Sequence, residues 1–465
     1  MKYFAFCLAV LGIVPGALLM ATNRYLLRWA VMAMLLCTLF FDKTALNFFS
    51  RELYRGTSRG MEVSLIYIIA VMVLVTISML HGKPMRLVPE GGALLYVLYF
   101  LFCLPSLHNA GSFVVAFFEL WKMIMIYLVY LAIYYYLEYT KGDFDTILYA
   151  LAIVNLFNFY MCVRMHLQGI YQPGGIFPHR NSMAMFMSMT GLLFLARAFT
   201  SHHIKETIFF VITFLATSAA LVRSYSRGAI ICYPAAAILT ISSAWMNVRS
   251  VKKFYLTALV AILGLVGLAL FLPRVVERFE TASESSWGTR KNLAVAARNM
   301  IKDKPFLGVG INNWGYKINP PYTYSEHRDK RPGADSDDFQ DGIVETIYLL
   351  VAAECGLICF TILLCWFLYY LFHTMQLARL MRFTPYFYIP AGLLGGLSAI
   401  FVQSVLEWVL KQQLNFIWMM VLFSVLSYLR KHCWELIERS QSEKAGHPST
   451  PSAEPVLPGR EAHAI

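Results

Sequence analysis

Long apolar runs, separated by short polar or turn-forming segments, recur along most of the chain. Runs of this length can cross a hydrocarbon core of about 30 Å as helices, and a backbone in lipid must satisfy its own hydrogen bonds. The pattern therefore predicts an all-α, polytopic transmembrane helix bundle of about 12–13 spans. The predicted spans lie at approximately 3–21, 25–41, 62–80, 91–107, 113–138, 144–166, 182–199, 206–222, 229–246, 254–272, 344–372, 385–406 and 412–430.

One long polar segment interrupts this pattern and divides the chain into four parts. We expect an N-terminal transmembrane bundle over 1–272, a large external loop over 273–343, C-terminal transmembrane helices over 344–430 and a tail over 431–465. The tail is rich in Pro, Ser, Glu and Ala from about Gln441, which predicts disorder. The loop is rich in Trp, Tyr and Gly, and long connections of this kind are usually functional.

Within the loop, residues Asn292–Lys302 have the spacing of an amphipathic helix. The apolar side chains fall on one helical face, so we predict a partly helical loop whose helix lies against the mouth of the bundle. The predicted apolar face consists of Leu293, Ala294, Ala297 and Ile301.

The composition agrees with a membrane protein. The chain is 58% hydrophobic and 14% charged, whereas soluble domains have roughly 25% charged residues. Its net charge of +12 is explained by basic cytoplasmic loops, so we expect membrane lipids and no nucleic acid as partners. The nine cysteines form no CxxC pair and are interpreted as packing residues.

The first apolar run resembles a signal peptide, but Arg24 and Arg28 lead into another apolar run, which favours an uncleaved span.

Charge also predicts the orientation. Basic clusters near Lys83, Arg249, Arg379 and Arg430 fall on one side if the spans alternate, and the positive-inside bias makes that side cytoplasmic. The C-terminus is then cytoplasmic and the large loop external. Several arginines lie on the external side against this bias and need another explanation; they are Arg51, Arg55, Arg59, Arg180, Arg223 and Arg227.

Two of these arginines flank the segment Ser224–Ser226 at a span boundary. Arg223 and Arg227 are four residues apart and would project from one face of a helical turn. Two readings remain open: the side chains snorkel to the interface, or their guanidiniums bind a phosphate group in a bidentate manner.

A second external turn, Gly175–Asn181, opens the span at 182–199. His179, Arg180 and Asn181 would lie at a helix N-terminus, which attracts anions. A purely capping role is the alternative reading.

Acidic residues complete the set of candidates. Glu345 lies at the external interface, and Glu354 lies deeper, where a carboxyl must be paired or neutral. Glu354 is a functional candidate or a group that holds helices together. A run of aspartates before the eleventh span favours a solvated loop over a divalent metal site, so we expect no metal; the run consists of Asp335, Asp337, Asp338 and Asp341.

Taken together, these segments resemble the O-antigen ligase and polymerase superfamily of bacterial membrane glycosyltransferases. The order of the motifs around one large loop carries the resemblance, which covers roughly residues 50–430. The motifs are Gly175–Asn181, Ser226–Gly228, an Arg near Trp287 and Thr289, Lys304–Gly310 and Tyr348–Leu357.

The resemblance implies an enzyme that needs no nucleotide sugar, cofactor or obligatory metal. The donor would be a glycan on a polyprenyl pyrophosphate, and the acceptor a hydroxyl of a glycan or lipid on the periplasmic side of the bacterial inner membrane. Arg227 and Arg290 match the family positions that bind the pyrophosphate. Further substrate-binding candidates are Arg223, Arg180, His179, Asn181, Lys291 and Tyr348.

The chain departs from the family at the expected base. Family members usually have His-Asn before the x-Tyr-Leu motif, and Glu345 and Thr346 occupy those positions here. A glutamate can accept a proton but is a weaker base than histidine. The hypotheses are that Glu345 is the base, that His327 or His179 replaces it, or that activity is lost. The family also leaves ligase and polymerase open, and a glycan transporter or a non-catalytic scaffold are alternatives from other classes.

Overall fold

The computed structural model describes residues 2–50, 58, 60–82, 84–246, 250–280, 284–326 and 342–444. Most of these residues are helical, and a short antiparallel pair of strands, β1 (Leu46–Phe48) and β2 (Met61–Val63), sets Leu46 opposite Val63. The all-α polytopic bundle predicted from the sequence is confirmed.

The α-helices in chain order are α1 (Lys2–Leu11), α2 (Ile13–Thr22), α3 (Arg24–Leu36), α4 (Phe41–Thr44), α5 (Leu65–His81), α6 (Gly91–Cys103), α7 (Phe113–Thr140), α8 (Phe144–Leu167), α9 (Arg180–Thr200), α10 (Ile204–Arg223), α11 (Arg227–Trp245), α12 (Val251–Glu280), α13 (Glu284–Asp303), α14 (Trp314–Lys317), α15 (Ile347–Leu380), α16 (Tyr388–Gln403), α17 (Gln413–Lys431) and α18 (Cys433–Lys444). Single 3₁₀ turns occupy Cys37–Phe40, Leu104–Asn109, Pro385–Phe387 and Val409–Lys411.

Ten helical segments among the described residues are long and apolar enough to cross a membrane. The protein is therefore a multi-pass membrane protein. The predicted spans correspond to these segments and to other apolar helices: the first is divided between α1 and α2, the third is α5, and the tenth lies within α12.

Helices α9, α16 and α11 approach each other closely through glycines. A Cβ atom at Gly396 of α16 would lie 2.3 Å from the carbonyl oxygen of Met189, and one at Gly392 would lie 2.5 Å from the Cα of Leu193. Small residues allow this distance between helices in lipid. These contacts make α16 antiparallel to α9, so the end of α16 lies beside the start of α9.

The same arrangement relates α16 to α11. A Cβ atom at Gly395 would lie 2.7 Å from the carbonyl oxygen of Ala236, and one at Gly228 would lie 3.3 Å from Cγ of Gln403. The start of α11 is therefore also beside the end of α16. The external segments predicted before α9 and α11 meet at one end of the molecule.

The large loop contains the expected amphipathic helix, which is longer than predicted and forms α13. Its buried side chains are Leu293, Ala296, Ala297 and Met300, and α13 packs against α15. Leu293 and Ala297 were predicted on this face, whereas Ala294 and Ile301 are only partly buried.

After α13, the segment from Pro305 to Trp314 docks against α15 at a break in that helix. Gly356 has φ 85° and ψ 170°, so the helix cannot continue through it. The backbone amides of Val309 and Gly310 donate to the carbonyls of Ala353 and Glu354, each at 2.9 Å, and the amide of Leu357 donates to the carbonyl of Pro305 at 2.8 Å. This part of the loop is thus hydrogen-bonded to the bundle.

Some predictions fall outside the described residues: Arg51, Arg55, Arg59, Lys83, Arg249, His327 and the aspartate run at 335–341. The segment 431–465, expected as a disordered tail, contains the helix α18, in which Cys433 and Leu436 are buried. Residues 445–465 lie outside the described part.

Candidate functional site

A group of charged and polar side chains lies where the starts of α9 and α11 meet the end of α16. The loop helix α13 contributes Arg290, and the residues just before α15 contribute Glu345. The backbone amide of Ile347 donates to the carbonyl of Ser404 at 3.3 Å, and the hydroxyl of Thr346 donates to the same carbonyl at 3.2 Å. The start of α15 is therefore joined to the end of α16.

Arg290 forms the centre of this group. Its Nη2 atom lies 3.1 Å from Oε2 of Glu345 and 3.8 Å from Oε1 of Glu407. The side chains of Arg290 and Glu345 are each 26% exposed. The structure thus brings together two residues predicted separately from the sequence, and both remain accessible from outside the bundle.

Glu407 is a member of this group that the sequence analysis did not select. It lies in the short connection between α16 and α17, is 3% exposed and accepts a hydrogen bond of 2.8 Å from Nδ2 of Asn181. A Cβ atom at Gly228 would lie 3.9 Å from its Cγ. Glu407 therefore contacts the starts of both α9 and α11.

The surroundings of Glu407 raise the pKa of its carboxyl to about 7. Burial is the largest cause, because it disfavours the charged form, and the charge of Glu345 acts in the same direction. Arg290, the hydrogen bond from Asn181 and the charge of Arg180 lower the pKa and only partly compensate. A carboxyl with this pKa exchanges its proton near neutral pH.

Glu407 belongs to a cluster of buried polar groups that we call the polar corner. Its other three members are Ser226, Gln403 and Ser404. Among the described residues, no hydrogen-bond partner reaches either amide atom of Gln403 or the hydroxyls of Ser226 and Ser404. All three residues are at most 1% exposed. A buried polar group without a partner costs roughly 1–3 kcal/mol, which makes the polar corner a candidate site for a polar ligand or water.

The other predicted substrate residues occupy the rim of this site. Arg180 is the first residue of α9 and Arg227 the first of α11. Nδ1 of His179 accepts a hydrogen bond of 3.2 Å from the amide of Asn181, which supports the capping reading of this turn. Lys291 follows Arg290 on α13 and is exposed.

The structure also shows how the predicted substrate residues Arg223, Arg227 and Tyr348 are placed. Arg223 ends α10 and Arg227 begins α11, and Tyr225 between them has φ 51°, so the two arginines do not share one helical face. The hydroxyl of Tyr348 donates to the carbonyl of Phe401 at 2.8 Å, which joins α15 to α16.

A second charged cluster lies deeper and anchors the loop; we call it the buried network. Lys411 Nζ is 2.6 Å from Oε2 of Glu354, and Lys122 Nζ is 2.7 Å from Oε2 of Glu119. Lys411 also lies 3.9 Å from Oε1 of Glu119. Two lysines and two glutamates thus balance each other, and each is at most 9% exposed.

Both glutamates of the buried network also accept a hydrogen bond from a loop. Ser58 donates to Glu119 at 2.5 Å, and the backbone amide of Trp314 donates to Oε1 of Glu354 at 3.2 Å. Glu354 therefore holds the docked loop and the turn containing Lys411 in place. Of the two readings of Glu354, these contacts favour the structural one.

One group of potential metal ligands occurs in the described part of the chain. The Sγ atoms of Cys103, Cys355 and Cys359 all lie within 4.8 Å of one another and are buried. Thiolates prefer soft metal ions. The cysteines were interpreted as packing residues, and this group lies beside the Gly356 break, away from Arg290.

Comparison with known proteins supports the resemblance. A family model described as O-antigen ligase matches residues 212–364, from α10 to the middle of α15. This region includes Arg223, Arg227, Arg290 and Glu345. Over this region the chain is therefore similar to the O-antigen ligase family. No curated protein sequence matches the chain.

Proposed function

We propose that the protein transfers a glycan from a polyprenyl diphosphate to an acceptor hydroxyl at the end of the bundle that carries Arg290. The observation that carries this proposal is the meeting of Arg290, from the loop helix, with Glu345 and with the starts of α9 and α11. Arg290 and Glu345 are each 26% exposed, and Arg180 and Arg227 are also partly exposed. By the charge pattern, this end faces the periplasm of a bacterial inner membrane.

The chemistry requires cations beside the leaving group. When the bond between the sugar and the diphosphate breaks, negative charge develops on the phosphate oxygens. Arginine binds such oxygens in a bidentate manner, and a preorganised donor at a developing charge contributes about 3–4 kcal/mol. Arg290 and Arg227, with Arg180 and Arg223 at the rim, are the proposed diphosphate ligands.

The test compares transfer by Arg290→Ala and Arg227→Ala with transfer by the wild type. The proteins are reconstituted in liposomes with an undecaprenyl-diphosphate-linked oligosaccharide extracted from the native host. We expect both variants to be roughly 10²–10³-fold slower, with an unchanged unfolding temperature. Arg379→Ala is the matched control, because Arg379 lies exposed in the last turn of α15, at the opposite end of that helix.

Wild-type turnover in both variants contradicts the assignment of the diphosphate ligands. The products also separate ligase from polymerase: a single acceptor adduct indicates a ligase, and a ladder of products indicates a polymerase. Movement of the lipid-linked glycan across the bilayer without bond transfer would instead identify a transporter, and donor binding without turnover a scaffold.

The proton acceptor in this reaction is a separate question. The resemblance makes Glu345 the first candidate, and the mutation Glu345→Gln tests it directly. His179 is engaged in capping α9. Full activity of Glu345→Gln would exclude Glu345 as the base.

A further inference from the structure

Two carboxyls approach the same nitrogen of Arg290, and their surroundings differ. Glu345 makes the direct ion pair, at 3.1 Å, and is 26% exposed. Glu407 is 3.8 Å from the same guanidinium, is almost completely buried and is held by Asn181. Glu345 is therefore placed to orient Arg290 toward a phosphate, whereas Glu407 faces the interior of the site.

The polar corner supplies the second, independent observation. The amide of Gln403 and the hydroxyls of Ser226 and Ser404 have donors and acceptors without partners among the described residues. An amide and two hydroxyls match the hydrogen-bonding capacity of a sugar, whose hydroxyls both donate and accept. Gln403 and Glu407 both approach Gly228, so the carboxyl lies beside these unpartnered groups.

From this arrangement we infer that the polar corner binds the acceptor glycan and that Glu407, rather than Glu345, takes the proton from its reacting hydroxyl. This inference rests on the proposed glycan transfer. The pKa of about 7 is suited to the role, because a general base works best when its pKa lies near the operating pH.

The reaction balances with these groups alone. The acceptor oxygen forms a bond to the anomeric carbon while its proton moves to the Glu407 carboxylate. The bond between that carbon and the phosphate oxygen breaks, and the electron pair leaves with the diphosphate, next to Arg290. The proton on Glu407 is then released to solvent, which regenerates the carboxylate for the next transfer.

The first test is the pH dependence of transfer. Glu407 is ionised above its pKa, so kcat/KM of the wild type should rise as the pH increases through about 7. Besides burial, the groups that set the pKa of Glu407 are Glu345, Arg290, Asn181 and Arg180, and Glu407→Gln leaves all four unaltered. We expect this variant to have kcat reduced by roughly 10²–10³-fold, no rise near pH 7 and unchanged binding of undecaprenyl diphosphate.

Two controls make the pH test specific. Glu345→Gln should keep a rise in rate with pH, moved to lower pH because the charge of Glu345 no longer raises the pKa of Glu407, and its rate is lower because Arg290 loses this partner. Glu62→Gln should match the wild type; Glu62 lies on β2, and burial followed by the charge of Asp42 raises its pKa to about 7 as well. Loss of the pH dependence in Glu345→Gln but not in Glu407→Gln overturns the inference.

A second test addresses the polar corner. Gln403→Leu keeps the approximate shape of the side chain and removes two buried polar atoms that have no partner among the described residues. If Gln403 only fills space or binds a water molecule, the variant should be more stable and transfer normally. We expect instead a raised unfolding temperature together with a KM for the acceptor increased by roughly tenfold, as for a lost hydrogen bond of about 1–1.5 kcal/mol.

The outcomes separate this inference from the proposed function. No transfer by the wild type at any pH contradicts both. Transfer by the wild type with equal transfer by Glu407→Gln contradicts only the role of Glu407. If Glu407→Gln does not fold, Glu407→Asp is the deciding variant, because it retains an ionisable carboxyl on a side chain one methylene shorter. Its transfer should be slow, but the rate should still rise with pH. A wild-type transfer rate in Glu407→Asp contradicts the inference.

Discussion

The two charged clusters of this protein, the Arg290 group and the buried network, both pair basic side chains with glutamates, but they differ in charge balance, exposure and hydrogen bonding. In the buried network, two lysines balance two glutamates, and loop groups from Ser58 and Trp314 fill further hydrogen-bonding positions. In the Arg290 group, two carboxyls approach one nitrogen of the guanidinium, and several buried polar atoms nearby have no hydrogen-bond partner among the described residues.

This difference supports a structural role for the buried network and the functional role proposed for the Arg290 group. In the buried network the charges balance and each of the four residues is at most 9% exposed, so we assign to it the role of holding the loop against the bundle. The Arg290 group is partly exposed and retains hydrogen-bonding capacity for a substrate. Burial of charge alone would have selected the buried network, because it is the more deeply buried of the two.

The strongest way to break the comparison is Lys411→Met. Removing this cation leaves Glu354 and Glu119 with a single lysine between them, and breaking a buried ion pair costs roughly 3–5 kcal/mol. We expect a large drop in the unfolding temperature in detergent. Lys411→Met combined with Glu354→Gln removes one charge of each sign and should recover much of the loss. An unchanged unfolding temperature for Lys411→Met would show that the network does not support the fold.

An intermediate effect is expected for Gly356→Ala. The residue has φ 85°, and a Cβ atom would lie 2.1 Å from the carbonyl oxygen of Phe306. Backbone strain of this kind costs about 1–3 kcal/mol, and the docked loop must also shift. Gly264→Ala in α12 is the control, because nothing lies within 4 Å of that position. Thermal unfolding measures both variants, and equal stability would contradict the role given to Gly356.

The smallest effect on stability is expected for Glu345→Gln. The ion pair with Arg290 is partly exposed on both sides, and exposed ion pairs contribute about 0–1 kcal/mol. The unfolding temperature should therefore hardly change, while transfer slows. A loss of stability as large as that of Lys411→Met would mean that the Arg290 group is also structural and would remove the contrast between the clusters.

The sequence predicted the spans well, because each transmembrane helix needs an uninterrupted apolar run. It also selected Arg227, Arg290 and Glu345, whose types and positions stand out around the large loop. Glu407 was missed because its partner Asn181 is 226 residues away in the chain. Only packing of α16 against α9 and α11 brings them together, and no local pattern encodes that packing.

Some signals were present in the sequence but were not used. Glu119 and Lys122 are charged residues three apart inside a predicted span, a costly arrangement that calls for partners. Lys411, next to the last predicted span, likewise indicates a cation that needs a partner. Their pairing with each other and with Glu354 became visible only when the loop and the turn at Val409–Lys411 were placed.

The break at Gly356 has a consequence for how the protein is assembled. In an unbroken helix the amide of Leu357 would bond to the carbonyl of Ala353, but here both groups bond to the segment Pro305–Val309. That segment precedes α15 in the chain, so it is synthesised before the helix that needs it. Helix α15 therefore completes its backbone hydrogen bonding only when it contacts the segment Pro305–Val309, which has already been synthesised. We expect this requirement to couple the membrane insertion of α15 to the folding of the loop.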